Sequence, residues 1–273
     1  MNMKRFVVAA SALILIFIVI LAVFLKKNSK VIARAQVESS ASITKLLGKA
    51  KEFESKGDIS GVKGVYQQLV EDFPNSSEVM NWLKKIESIN IKSLFSNVPD
   101  SRSTLYEIKP GDTLSKIARE FNTTTDLIKK SNNLKDDRIM PGRKIKVWVK
   151  PFSILVYKSQ NILILKSDGE IMKTYTVSTG KDNSTPVGTF TITTKLENPT
   201  WFRDGSVVPP ESPENILGTR WMGINLPSYG IHGTTEPQSL GQQATQGCVR
   251  MSNADVEELY TIIPTGTEVV IVD

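Results

Sequence analysis

Residues 229–251 read YGIHGTTEPQSLGQQATQGCVRM and contain the chain's one histidine, His232, and its one cysteine, Cys248. Each is next to a glycine, Gly233 or Gly247, which lets the backbone approach a ligand closely. A thiol and an imidazole placed in this way suggest a nucleophile and its general base. The alternatives are a buried structural cysteine and a hydrogen-bonded structural histidine. A metal site is not indicated, because acidic residues would have to supply all but two of the ligands of a zinc ion.

The sequence around this stretch has the composition of β-strands. Runs rich in Val, Ile, Thr and aromatic residues predict strands at 153–157, 162–166, 171–178, 189–194 and 268–272. Asp168-Gly169 predicts a tight hairpin, and a helix is predicted to begin at Ser252 or Asn253. We therefore expect residues 151–273 to form a mainly β sandwich or barrel with one short helix.

The N-terminal residues predict a membrane anchor. From Phe6 to Leu25 the chain has 20 residues without a charge, and a helix of that length spans the hydrocarbon of a bilayer. A cleaved signal peptide is the alternative, because Ala33-Arg34-Ala35 fits the small-x-small pattern of a cleavage site. We expect residues 1–30 to be a single-pass anchor. Basic residues flank the apolar run on both sides, so charge alone does not set its orientation.

Residues 41–95 predict three short helices, because their apolar residues recur at helical spacing. Gly57-Asp58 and Pro74-Asn75 separate the helices. The segment resembles one tetratricopeptide unit through Leu46, Ala50, Phe53, Gly57, Tyr66 and Pro74. A helical spacer or self-association element is the alternative, and a protein partner of this segment is expected in the first case. Residues 96–104 are predicted to be a linker.

Residues 105–149 predict a strand, two helices and a strand, ending with a strand from Lys144 to Val149. The segment closely resembles a LysM module, through Gly111-Asp112-Thr113-Leu114, Ile117-Ala118, Asn133-Leu134, Ile139 and Pro141-Gly142. The resemblance implies binding of N-acetylglucosamine polymers such as peptidoglycan. It implies that the glycan contacts are Gly111, Asp112, Thr113, Leu114, Ile139, Met140 and Pro141. Alternatively, Gly111 and Asp112 only form the turn and cap of the small fold.

Charge is distributed unevenly along the chain. Residues 101–150 hold twelve Lys and Arg against six Asp and Glu, whereas residues 151–273 hold eight against thirteen. The basic segment could attract an anionic polymer. We do not expect a nucleic acid, because the LysM pattern explains the same residues better.

Residues 151–273 look like the catalytic domain of the L,D-transpeptidase family over its whole length. The motifs that carry this resemblance are Pro186-Val187-Gly188, Asn198-Pro199-Thr200, Leu217-Gly218-Thr219-Arg220, Ile231-His232-Gly233-Thr234 and Gly247-Cys248-Val249-Arg250-Met251. Their order is that of the family, with the histidine 16 residues before the cysteine. Gln246 and Thr245 depart from the histidine and serine of many members, and we expect neither to abolish activity.

The resemblance implies a role for each residue of the predicted site. Cys248 is the nucleophile, His232 the base, and the backbone carbonyl of Gly233 orients the imidazole in place of a carboxylate. The N–H groups of Gly247 and Cys248 are predicted oxyanion donors, and Arg250 is predicted to hold a substrate carboxylate or to brace the loop. The predicted substrate-binding residues are Tyr229, Trp221 and Thr245.

The implied function is cross-linking of cell-wall peptidoglycan stems, with no cofactor and with the site outside the cytoplasmic membrane. Water or a protein amine as the acceptor gives a carboxypeptidase or a protein-to-wall ligase with the same thioester. A non-catalytic wall tether is the alternative from another class of protein. Under all three interpretations the partners are peptidoglycan and, through the N-terminal helix, the membrane.

Overall fold

A computed structural model describes residues 40–203 and 205–273. The chain divides into two compact units, one ending at Ile86 and one comprising Glu87–Asp273. The expected anchor from Phe6 to Leu25 lies outside the described residues. Within the described residues, no helix is long and apolar enough to cross a membrane.

The first unit contains the predicted helices. They are α1 (40–55), α2 (Ile59–Asp72) and the start of α3 (Val79–Phe95). Gly57 separates α1 from α2 with a left-handed φ of 69°, and the Asp58 side chain caps α2 by accepting from the Gly61 N–H at 2.8 Å. The helices pack around a small apolar core of Leu46, Ala50, Val65, Leu69 and Trp82.

The second unit contains a βααβ module, residues 103–148, which is followed by a larger β domain. Its elements are β1 (Ser103–Glu107), α4 (Leu114–Glu120), α5 (Thr125–Ser131) and β2 (Lys144–Trp148), and the two strands pair antiparallel. The predicted order of elements is therefore confirmed. β1 starts within the segment 96–104 that was predicted to be a linker.

The rest of the second unit is a mainly β domain with one α-helix, α6 (Asn253–Ile262). Its strands are β3 (Phe152–Tyr157), β4 (Ile162–Ser167), β5 (Glu170–Thr176), β6 (Thr179–Gly180), β7 (Gly188–Glu197), β8 (Trp201–Arg203), β9 (Ser206–Val208), β10 (Arg220–Ile224), β11 (Gly230–His232), β12 (Gln243–Thr245), β13 (Val249–Arg250) and β14 (Glu268–Val272). Asp168 and Gly169 form the predicted hairpin turn with φ values of 52° and 81°.

A large mixed sheet organises this domain. In the described residues it has eight strands in the order β13-β11-β10-β7-β14-β3-β4-β5. Ser178, just beyond β5, exchanges two backbone hydrogen bonds of 2.8 and 2.9 Å with Arg250 in β13. The two ends of the sheet are therefore brought together, which agrees with the barrel rather than the sandwich alternative.

The βααβ module and the β domain share one apolar core. Trp148 stacks on Phe152 with ring centroids 5.7 Å apart, and its Nε1 donates to Ser167 Oγ at 3.2 Å. Leu127 from α5 and Leu94 from α3 lie in the same core cluster. Packing of this kind explains why the boundary between the units falls inside α3 rather than after residue 95. The domain limits drawn from sequence otherwise stay predictions.

The predicted linker is held in place by hydrogen bonds. The buried Lys146 side chain donates through Nζ to the carbonyls of Ser93 at 2.6 Å and Ser96 at 2.9 Å. Arg102 pairs with Asp100 at 3.2 Å and Glu170 at 3.0 Å. The segment is thus fixed by the distant Lys146 and by the ion pairs of its own Arg102, and its assignment as a linker stays a prediction.

Truncation of the shared core should weaken both modules at once. Trp148→Ala removes the stacked ring, and a buried Trp→Ala change costs about 3–5 kcal/mol. Hydrogen exchange should then increase in the βααβ module and in β3 to β5, whereas the control Leu105→Ala, at a side chain 52% exposed, should change little. Faster exchange confined to residues 103–148 contradicts a shared core.

Candidate active site

The pairing of β11 with β13 decides which side chains meet. The two strands are parallel, with Ile231 opposite Val249 and His232 opposite Arg250. Ile231 and Val249 are buried in the apolar core. Because side chains alternate along a strand, His232 and Arg250 project from the other face, and Cys248 projects on the same side as Arg250. The register therefore brings the one histidine and the one cysteine to a single face.

That face opens into a cavity of about 770 Å³. The cavity wall includes six of the side chains predicted from sequence: Cys248, His232, Arg250, Trp221, Tyr229 and Thr245. Trp201 and Phe202, from the hairpin β8–β9, also line it. The structure therefore brings together every predicted side chain of the β-domain site.

His232 is held by the backbone. Its Nδ1 lies 2.7 Å from the carbonyl oxygen of Gly233, and its ring stacks on Trp221 at a centroid distance of 5.7 Å. A carbonyl can only accept, so Nδ1 carries the proton and Nε2 is left as the acceptor. The contact with Gly233 expected from the sequence is present.

The imidazole is buried, with 3% of the residue exposed. Burial, together with the charge of Arg250, lowers the pKa of His232 to about 4 against the opposing effect of the Gly233 carbonyl. His232 is therefore neutral at pH 7 and able to accept a proton.

Cys248 lies between backbone groups. Its Sγ is 3.5 Å from the Ser228 carbonyl oxygen. Burial raises the pKa of the thiol, and the Gly230 N–H and the charge of Arg250 act in the opposite direction. The resting site therefore holds a protonated thiol and a neutral imidazole in one cavity.

Arg250 braces the loop that joins the two strands. Its Nη1 donates to Glu236 Oε2 at 2.7 Å and to Ser239 Oγ at 3.0 Å, and its Nε is buried without a hydrogen-bond partner. Arg250 was predicted either to hold a substrate carboxylate or to brace the loop, and these contacts serve to brace the loop. Glu236 was missed from the sequence, although an acidic residue between the histidine and the cysteine was a signal for an arginine partner.

The turn before Cys248 departs from the prediction. The Gly247 N–H donates to Thr245 Oγ1 at 3.1 Å, and the Thr245 hydroxyl donates to the Cys248 carbonyl at 2.7 Å. Gly247 is therefore not a free oxyanion donor in this structure, because Thr245 folds back onto it. Gly247 has a φ of 125°, and a Cβ there would lie 2.6 Å from the Tyr229 ring, so only glycine fits.

The predicted glycan-binding loops are also well defined. Leu114 is 2% exposed and belongs to the core of the βααβ module, so its side chain does not face a ligand. Thr113 caps α4 by accepting from the Lys116 N–H at 3.2 Å. Asp112 accepts from the Lys109 N–H and from the Tyr106 hydroxyl, both at 2.8 Å, and the second bond raises the pKa of Tyr106 to about 12.

The remaining loop residues differ in exposure. Gly111 adopts a left-handed φ of 85° in the turn before α4, and Ile139 packs against the core of the module. Met140 is 71% exposed, and Pro141 is exposed beside it. Met140 and Pro141 are therefore the side chains of this set that are most open to a ligand.

Comparison with known proteins decides the family. A model of the L,D-transpeptidase catalytic domain matches residues 151–271, and a LysM domain model matches residues 106–148. The putative L,D-transpeptidase YkuD of Bacillus subtilis is 33% identical over 173 residues, which are 61% of this chain and 97% of that protein.

The chain belongs to the L,D-transpeptidase family. A second relative, the putative L,D-transpeptidase YqjB of Bacillus subtilis, is 40% identical over 126 residues, covering 44% of this chain and 70% of that protein. A solved L,D-transpeptidase from Mycobacterium smegmatis is 21% identical, covers 48% of this chain and 64% of its own, and superposes with a TM-score of 0.38.

The thiol of this L,D-transpeptidase should titrate at higher pH when the chain is folded than when it is unfolded. A raised pKa keeps Cys248 protonated and unreactive until higher pH, and Cys248 is the sole cysteine. Mass spectrometry of iodoacetamide adducts at a series of pH values, with the urea-unfolded chain as the control, measures this shift. A folded profile displaced to lower pH indicates a thiolate–imidazolium pair and contradicts the neutral site.

Proposed function

We propose that this enzyme cross-links peptidoglycan stems with Cys248 as its nucleophile. The thiol attacks the carbonyl of the third-position diamino acid in a tetrapeptide stem, expels the terminal D-alanine and forms a thioester. An amine of a second stem then resolves the thioester, so that two third-position residues become linked. The observation that carries this proposal is the position of Cys248 and His232 on one face of adjacent strands, in one cavity.

Proton movement in this reaction depends on His232. With its pKa lowered to about 4, the imidazole is neutral at pH 7 and takes the thiol proton as sulfur attacks. The imidazolium gives that proton to the leaving amine of D-alanine. In the second half the imidazole takes a proton from the attacking amine, and the departing sulfur is reprotonated. The Gly233 carbonyl keeps the ring in the tautomer that both steps need.

The oxyanion of the tetrahedral intermediate needs a backbone donor. The Gly247 N–H is engaged with Thr245, so we assign this role to the N–H of Cys248 itself. A preorganised donor of this kind stabilises charge that develops in the transition state.

The cavity wall supplies the binding groups. Trp221 and Tyr229 give apolar surface beside the reacting pair. Arg250, whose Nη1 is bonded to Glu236 and whose Nε is buried, is assigned to bracing the loop beside the site. Thr245 acts through the turn that it braces, since its hydroxyl already bonds to the backbone on both sides.

Binding to the wall is assigned to the LysM module. The exposed Met140 and Pro141 and the backbone of the turn at 111–113 are the surface that we propose for the glycan strand. No nucleic acid partner is proposed. We also propose that residues 1–30 anchor the enzyme in the cytoplasmic membrane with the catalytic domain outside, and that the helical segment 41–95 recruits a protein partner.

Substitution of Cys248 tests the reaction directly. Incubation of tetrapeptide muropeptides with the wild-type enzyme should yield cross-linked dimers and free D-alanine, because the thioester passes to a second stem. Cys248→Ala should lower the rate by at least about 1000-fold, as loss of a nucleophile does in other enzymes. Mass spectrometry of the products measures both, and Leu105→Ala, at an exposed side chain outside both proposed sites, is the control.

The products also discriminate the other acceptors. Tripeptide monomers without dimers indicate that water is the acceptor and contradict transpeptidation, and a stem attached to a protein amine indicates a ligase. Unchanged cross-linking in Cys248→Ala contradicts the assignment of the nucleophile.

A further inference from the structure

Asn253 is the first residue of α6, but its side chain does not cap the helix. Ser252 is the cap, with its Oγ accepting from the Asp255 N–H at 3.1 Å. The Oδ1 of Asn253 instead accepts from two other backbone amides, Thr219 N–H at 3.2 Å and Thr234 N–H at 3.0 Å. One amide oxygen therefore joins two loops that are distant in sequence.

Both loops carry a carbonyl that acts on the imidazole. Thr234 directly follows Gly233, whose carbonyl oxygen lies 2.7 Å from His232 Nδ1. Thr219 is two residues after Leu217, whose backbone acts to raise the pKa of His232. The loop that holds the Gly233 carbonyl and the loop that follows Leu217 are thus tied to the same oxygen.

Two glycines make room for this oxygen. A Cβ at Gly218 would lie 2.2 Å from Asn253 Oδ1, and a Cβ at Gly233 would lie 2.3 Å from it. Gly218 also has a left-handed φ of 65°, which only glycine adopts at little cost. The loops therefore close tightly around the Asn253 amide, as expected of a site that holds backbone in a fixed position.

We propose that Asn253 is a positioning residue for His232, which fixes the Gly233 carbonyl and thereby the Nδ1–H tautomer and orientation of the imidazole. Asn253 touches neither substrate nor the reacting atoms. The expected effect of Asn253 on the reaction rate rests on the proposed function, in which His232 is the base. Its expected effect on the tautomer and orientation of the imidazole is independent of that function.

Asn253→Ala should alter the imidazole and the rate of cross-linking together. We expect kcat to fall by about 10- to 100-fold with little change in KM, because a small misplacement of a base has an effect of that size. His232 is the only histidine, so its ring nitrogen signals in NMR are unambiguous. In Asn253→Ala these signals should change from those of the Nδ1–H tautomer to those of a mixture of the two neutral tautomers. Ser252→Ala is the matched control, because it removes the cap of the same helix and leaves Asn253 in place.

Asn253→Asp separates positioning from a purely structural role. The carboxylate retains an acceptor for both amides, so the Nδ1–H tautomer should be kept. Its negative charge near the ring should raise the pH at which His232 titrates. Neither effect is expected from a change that only weakens α6.

One result overturns the proposal. In it, Asn253→Ala has the same kcat per titratable thiol and the same imidazole signals as Ser252→Ala, and only its melting temperature is lowered. If the wild-type enzyme forms no cross-links, the proposed function fails. The tautomer of His232 in the two variants then still decides whether Asn253 positions the ring.

Discussion

The parallel pairing of β11 with β13 is the constraint on which the site depends. Ile231 and Val249 face each other into the core, and the Met251 N–H bonds to the His232 carbonyl at 2.8 Å. A shift of one residue in this register would turn the imidazole into the core and an apolar side chain into the cavity. Burial of these apolar residues therefore fixes the chemistry on the opposite face.

The same burial makes the resting site neutral. It lowers the pKa of His232 and raises that of Cys248. The positive charge of Arg250 is balanced by its ion pair with Glu236. A protonated thiol is a poor target for oxidants, since reactivity follows thiolate character. For an enzyme proposed to act outside the cytoplasmic membrane, a neutral resting pair protects its one thiol until a substrate with a reactive carbonyl enters the cavity.

Much of the fold could be predicted from local sequence, and the departures come from contacts between distant residues. Alternating apolar residues, Asp168-Gly169 and the start of α6 are local signals, and the strands, turn and helix that they predict are present. The fixed segment 96–102 could not be predicted, because Lys146, some 50 residues away, holds it. In the site, the Gly233 contact follows from a motif of adjacent residues. The role of Asn253 depends on amides 34 and 19 residues away.

The protonation state of His232 at neutral pH decides whether burial keeps the site neutral. Nitrogen-15 NMR of the wild-type enzyme observes this one ring without interference. We expect a neutral imidazole with the proton on Nδ1 at pH 7, which becomes protonated only near pH 4. An imidazolium at pH 7, or a neutral ring with the proton on Nε2, contradicts this expectation.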